Sequence, residues 1–169
     1  MMRVSLLLFL AALLSSAQTP KKFSTRKMSD EFVGAWKLIS FERKTAAGEI
    51  TYPMGRNPVG RLTYDAFGRM SAQIMRPDRP KFQSAAAAGW TVDEKAAAFD
   101  GFIAYYGTFS VSETERVVIH HVEASLYPHW VGTDQRRLYE FSGSQLILRV
   151  VNGSGGPGTE SRLVWERAR

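Results

Sequence analysis

The chain has 169 residues, of which 44% are hydrophobic and 22% charged, with a formal net charge of +6 and no cysteine. That length and composition describe one globular domain with enough apolar material for its own core. The missing thiols exclude disulfides, a cysteine nucleophile and a thiolate metal site.

Charge sets a further bound. Only Lys21, Lys22, Arg26 and Lys27 cluster, and the remaining basic residues are dispersed among acidic ones. A nucleic-acid interface would need a basic stripe interleaved with exposed aromatics. The charge therefore reads as a solvated surface with a basic leader, and no nucleic-acid partner is expected.

At the N-terminus Arg3 precedes an apolar and small-residue run from Val4 to Leu14, followed by Ser15-Ser16-Ala17. This pattern predicts a secretory signal peptide over residues 1–17, cleaved after Ala17. The run is shorter than the roughly 20 residues that span a bilayer, so no stable membrane insertion is expected after cleavage. Export to a periplasm or to the medium follows. Residues 18–30 read as a flexible basic leader, and the domain as residues 31–169.

Ser29 to Val33 predicts a short helical turn, and Gly34 to Arg43 a long first strand. Simple alternation puts Trp36, Leu38 and Ser40 on one face and Ile39 with Phe41 on the other. Ile50 to Pro58 reads as a long loop of the kind that can cover a site. Val59–Tyr64 and Arg69–Arg76 are the next strands, joined by the turn Asp65-Ala66-Phe67-Gly68. Met70, Ala72, Ile74 and Arg76 share a face, and Pro77 and Pro80 stop the ladder. One helix is well signalled, with Thr91 as cap, Glu94 completing a capping box, and Ala96, Phe99 and Ile103 on one side.

Five strands follow that helix: Ala104–Ser112, Arg116–Ser125, Asp134–Ser142, Gln145–Val151 and Ser161–Arg167. Short strands at regular spacing with tight turns indicate an all-β sandwich or barrel. An eight-stranded antiparallel up-and-down meander closes into a barrel without edges, with one short helix inserted after strand 3. Such a barrel has an interior wide enough for one small ligand. The sizeable residues on both strand faces predict an outer wall partly covered by the helix and leader.

All three histidines lie between Val117 and Trp130. Neighbours on a strand face opposite ways, so His120 and His121 must separate. Val118, His120, Val122 and Ala124 form the more apolar face, whereas Glu123 is costly to bury, so His120 is expected inside and His121 with Glu123 outside. The same phasing turns Tyr105, Gly107 and Phe109 inward, as it does Arg137, Tyr139 and Phe141. The expected ligand-binding set is Tyr64, Met70, Ile74, Arg76, Tyr105, Phe109, His120, Arg137 and Tyr139. Apolar walls with a few polar anchors suit a small apolar or amphipathic molecule with an anionic or carbonyl end.

Metal and catalytic chemistry have less support. His121 and Glu123 are tied together geometrically and His129 only by proximity in the chain, short of the three or four ligands zinc requires, so no metal is expected. No nucleophile elbow, phosphate loop or dinucleotide fingerprint occurs, and no cofactor is expected. His120 beside Tyr105 leaves a cofactor-free enzyme as an alternative. A filled barrel acting as an interaction domain is the other.

Gly34-Ala35-Trp36 resembles the Gly-x-Trp signature of lipocalins. The resemblance implies that Trp36 closes one barrel end and that Arg167 packs over it. Longer stretches are similar to the lipocalin-like domain family of bacteria and fungi. They are Tyr52–Gly55, Met70–Pro80, His120–Ser125 and Trp130–Gln135, and the likeness spans about residues 32–167. It implies an eight-stranded calycin-type barrel with a ligand cavity, a fold that sometimes houses isomerases or cyclases. The expected signal peptide departs from the family pattern, since many relatives lack one.

Overall fold

The computed structural model describes residues 28–153 and 155–168. The expected signal peptide and all of the leader before residue 28 lie outside the described residues. Helix α1 (Met28–Phe32) straddles the boundary expected at residues 30 and 31. Strands β1 (Gly34–Lys44), β2 (Ile50–Thr51), β3 (Val59–Tyr64) and β4 (Arg69–Met75) follow. After helix α2 (Val92–Asp100) come β5 (Phe102–Ser112), β6 (Val117–Ser125), β7 (Asp134–Ser142), β8 (Gln145–Val151) and β9 (Glu160–Arg167).

Every neighbouring pair is antiparallel, and β1 pairs along its length with β9, which closes the sheet. The two-residue β2 only extends the tip of β1, opposite Arg43 and Lys44. Eight strands therefore build the wall, as an antiparallel up-and-down barrel with a short helix after its third strand. Among the described residues no helix is long and apolar enough to cross a membrane.

One barrel end is sealed by α1. Phe32 is fully buried and its ring contacts Tyr64, Tyr139 and Phe141 edge-on, with centroids 5.3, 5.0 and 4.9 Å away. Trp36 donates its indole N–H to the Phe32 carbonyl at 2.8 Å. Arg167 lies over the Trp36 ring at 4.2 Å and donates to the carbonyls of Glu31 at 2.6 Å and Val33 at 2.8 Å. The guanidinium thus satisfies carbonyls that a helix end leaves without partners. Gly34 has φ +138°, and a Cβ there would lie 2.7 Å from the Arg167 guanidinium, so the closure needs glycine at this position.

Two bulges break simple alternation. In β1 the register shifts between Leu38 and Ser40, leaving Ile39 exposed and turning Phe41 inward, opposite to the face expected for it. In β6, Gly107 pairs with Val122 while Tyr106 pairs with Ala124, so Glu123 is the extra residue. A bulge inserts one unpaired residue and reverses the phase beyond it. Ala124 accordingly pairs with exposed Tyr106, and Ser125 with buried Tyr105. A Cβ at Gly107 would sit 1.9 Å from the His121 carbonyl oxygen, so only glycine fits beside this bulge.

Helix α2 forms with the expected capping box, Thr91 accepting from Glu94 N–H and the Glu94 carboxylate accepting from Thr91 N–H. It stops at Asp100, and Ile103 belongs to β5. None of its residues is buried, and Phe99 remains exposed, so the helix does not form the outer cover expected of it. In the loop before β3, Met54 joins the core and Arg56 stacks on Tyr52 at 4.4 Å. Met54 does not line the cavity described below.

Candidate functional site

The half of the barrel away from α1 holds a cavity of about 340 Å³. Its walls come from alternate residues of all eight barrel strands, because the strand period of two delivers every second side chain inward. Leu62, Ala72, Ile74, Leu148 and Leu163 give aliphatic surface, and Phe41, Trp130 and Trp165 give aromatic surface. Tyr105, His120, Gln135 and Arg137 are the polar groups deep in it, and His129 and Asn152 come from loops at its rim. The interior is not filled by side chains.

His120 joins the two halves of the interior. It is 1% exposed, and both ring nitrogens have phenolic partners: Tyr64 Oη at 2.6 Å from Nε2 and Tyr105 Oη at 2.9 Å from Nδ1. Burial, then the nearby Arg137 guanidinium and the neighbouring His121, hold His120 well below the usual imidazole pKa, so it is neutral near pH 7. Burial also holds Tyr64 well above the usual phenol value, reinforced by Tyr105 and partly opposed by Arg137. The two phenol side chains and the neutral imidazole thus form one hydrogen-bonded chain.

The expected binding set divides into three groups. Ile74, Tyr105, His120 and Arg137 line the cavity together. Tyr64, Met70 and Tyr139 belong to the core cluster and Phe109 packs against it, but none lines the cavity wall, and all but Met70 stand close to Phe32 in the sealed half. Arg76 departs from expectation. The strand ends at Met75, and Arg76 is exposed, bonding Asp78 through two nitrogens at 3.1 and 3.2 Å. Alternation would have carried it inside, but Pro77 ends the ladder first.

Sequence reasoning missed Phe41, Trp130, Gln135, Leu148, Leu163 and Trp165 as wall residues. Four of these lie on the same alternating face as residues that were phased correctly, or on strands phased by the same rule. Phe41 was hidden by the β1 bulge. Trp130 comes from a 3-10 turn, Pro128–Trp130, and packs edge-on against Tyr105 at 5.4 Å. Nothing in local periodicity marks a loop residue as part of a barrel wall.

His121 faces out, as phased. Its Nδ1 lies 2.6 Å from Asp134 Oδ1 and its Nε2 2.9 Å from Ser110 Oγ, the connectivity of an acyl-transfer triad. Such chemistry also needs a cleft and preorganised oxyanion donors. None of the three residues lines the cavity, and the group sits on the outer face of the sheet. Glu123 is exposed and takes no part. Among the described residues no group of three His, Asp or Glu is placed to hold a metal ion.

Residues 33–168 match the family model described as a lipocalin-like domain. A protein of Aspergillus oryzae (strain ATCC 42149 / RIB 40), named a 4'-hydroxy-3'-methoxypropiophenone carrier protein, is 38% identical over 106 residues. The match covers 58% of this chain and 96% of that protein. A lipocalin-like protein of Bacteroides uniformis, known from its crystal structure, aligns over 82% of this chain and 99% of its own, with 14% identity and a TM-score of 0.44.

Proposed function

The chain belongs to the lipocalin-like domain family, and from that premise we propose that it is a carrier whose open half holds one small aromatic, amphipathic molecule. The observation that carries this reading is the 340 Å³ cavity itself, within the roughly 300–1,000 Å³ usual for small-molecule sites. Aromatic and aliphatic walls suit a planar ring, and Tyr105, Gln135 and Arg137 suit its polar substituents. The name of the Aspergillus relative supports a phenolic aryl ketone as the ligand class. We further propose that residues 1–17 direct export, so that the carrier works in a periplasm or outside the cell; the mature N-terminus would then be Gln18.

The test is titration of the protein with propiophenones, read by quenching of the wall tryptophans Trp130 and Trp165. Ala72 is 2% exposed and lines the cavity, so Ala72→Phe occupies the space a ligand needs. Binding by the native chain and its loss in Ala72→Phe, with the far-UV spectrum unchanged, is the expected result. Equal affinity in the two proteins would place the ligand elsewhere and end this reading.

A further inference from the structure

The polar groups of the cavity are unequal in kind. Arg137 is 7% exposed, and its guanidinium makes one hydrogen bond, from Nη1 to the Arg136 carbonyl at 3.1 Å. No aspartate or glutamate lines the cavity, and no ion pair includes Arg137 among the described residues. A buried guanidinium without an anion is costly, because water is replaced by a less polarisable surrounding and nothing compensates.

Hydrogen-bond accounting fixes the neighbouring groups. Tyr64 Oη is buried and has a single partner, His120 Nε2. Were the imidazole proton on Nε2, the Tyr64 hydroxyl hydrogen would have no acceptor. Tyr64 therefore donates to Nε2, and the proton sits on Nδ1, which donates to Tyr105 Oη. The O–H of Tyr105 is then left for another acceptor, and Tyr105 lines the cavity. Trp165, also in the wall, has a buried indole N–H with no acceptor. Arg137 and Tyr105 thus bring donors to one cavity whose wall holds no carboxylate.

We propose that the barrel takes its ligand as an anion, a carboxylate or the phenolate of an acidic phenol, with Arg137 as its counter-ion and Tyr105 as a second donor to it. This rests on the carrier reading above and names the charge state that the site selects. A neutral apolar guest would leave the guanidinium uncompensated, whereas an anion satisfies both donors and the charge. Phenols carrying a para-acyl group are suitable guests, because the carbonyl withdraws charge from the oxygen and the phenolate forms near neutral pH.

The experiment compares 4'-hydroxypropiophenone with its methyl ether, 4'-methoxypropiophenone, on the full chain. The pH is set below the free phenol's pKa, where the free probe absorbs as the phenol. Binding to the native protein should shift its absorption band to the longer wavelength of the phenolate, and the ether should bind at least about tenfold more weakly. Arg137→Met should abolish both the spectral shift and the preference while still binding the ether, and Arg137→Lys should retain part of both. Equal binding of the two probes by the native protein, with no spectral shift, overturns the anion proposal and leaves the carrier reading intact. Absence of binding by both probes and by 4-butylbenzoate overturns the carrier reading and the proposal with it. Should Arg137→Met fail to fold, the native probe pair and Arg137→Lys decide the question by the same readouts.

Discussion

The two ends of this barrel spend similar residue types on opposite tasks. Around Phe32, aromatic rings fill the space, Trp36 finds the Phe32 carbonyl, and Arg167 has a ring beneath it and carbonyls in front of it. Around Arg137, aromatic rings line an open cavity, Trp165 has no acceptor, and the guanidinium has no anion. An arginine, a tryptophan and several phenyl or phenol rings occur at both ends. At the sealed end the arginine and the tryptophan are satisfied within the protein, although Tyr139 Oη is buried there without a partner; at the other end the guanidinium meets no anion. Buried polar groups are normally paired, so the contrast separates the half that maintains the fold from the half that meets a ligand.

The largest effect expected from breaking this division is at the sealed end. Phe32→Ala should cost about 3–5 kcal/mol of stability in urea denaturation, since a large ring leaves a cavity among rings that cannot collapse. Under conditions where the variant remains folded, its affinity for a propiophenone probe should change by less than about threefold, well under 1.4 kcal/mol. A comparable loss of affinity would show that the halves are not independent.

Tyr64→Phe tests the junction between the halves. It leaves His120 Nε2 buried without a donor and should cost about 1–3 kcal/mol. The same junction governs acid stability. His120 is neutral in the fold at pH values where the unfolded imidazole accepts a proton, so the unfolded state binds the extra proton. Stability is therefore complete above about pH 6.5 and falls as the pH drops below it, by up to ~1.4 kcal/mol per pH unit for this one group. Urea midpoints measured between about pH 6.5 and 5 should show that slope in the native chain and a flatter one in His120→Gln. At the alkaline side Tyr64 is held un-ionised, so its contribution is lost as the pH rises above the ordinary phenol value of about 10.

Arg167→Ala removes the cap over Trp36 and the donors to two carbonyls near the surface, and should cost roughly 1–2 kcal/mol by thermal denaturation. The smallest change belongs to the outer face. His121→Ala loses exposed contacts to Asp134 and Ser110 and should alter stability by no more than about 0.5 kcal/mol. Because the triad-like group lines no cleft, the native chain should hydrolyse p-nitrophenyl acetate no faster than Ser110→Ala. A rate that falls in Ser110→Ala would give the outer face a chemistry of its own.

Strand phase was legible wherever alternation ran unbroken. Val118, His120 and Val122 face in because the opposite phase would bury Glu123, and Tyr105, Arg137 and Tyr139 follow the same rule. The capping box at Thr91 and Glu94 was legible because both partners lie within one turn. Phe41 was not, since the bulge that turns it inward depends on pairing with β9, more than a hundred residues away. Arg76 was misplaced for a related reason: alternation gives direction but does not say where a ladder ends.

By itself the amino-acid sequence determines an eight-stranded meander, the phase of its regular strands and the opposition of His120 to His121. Those properties are local, set by the period of two and by the cost of burying charge. Only the closed barrel decides which inward residues are packed and which face empty space. Tyr64 and Tyr105 look alike in the sequence, but Tyr64 is enclosed beside Phe32 while Tyr105 reaches the cavity. Three-dimensional closure likewise separates Arg167, satisfied by carbonyls from the start of the domain, from Arg137, whose charge meets no carboxylate.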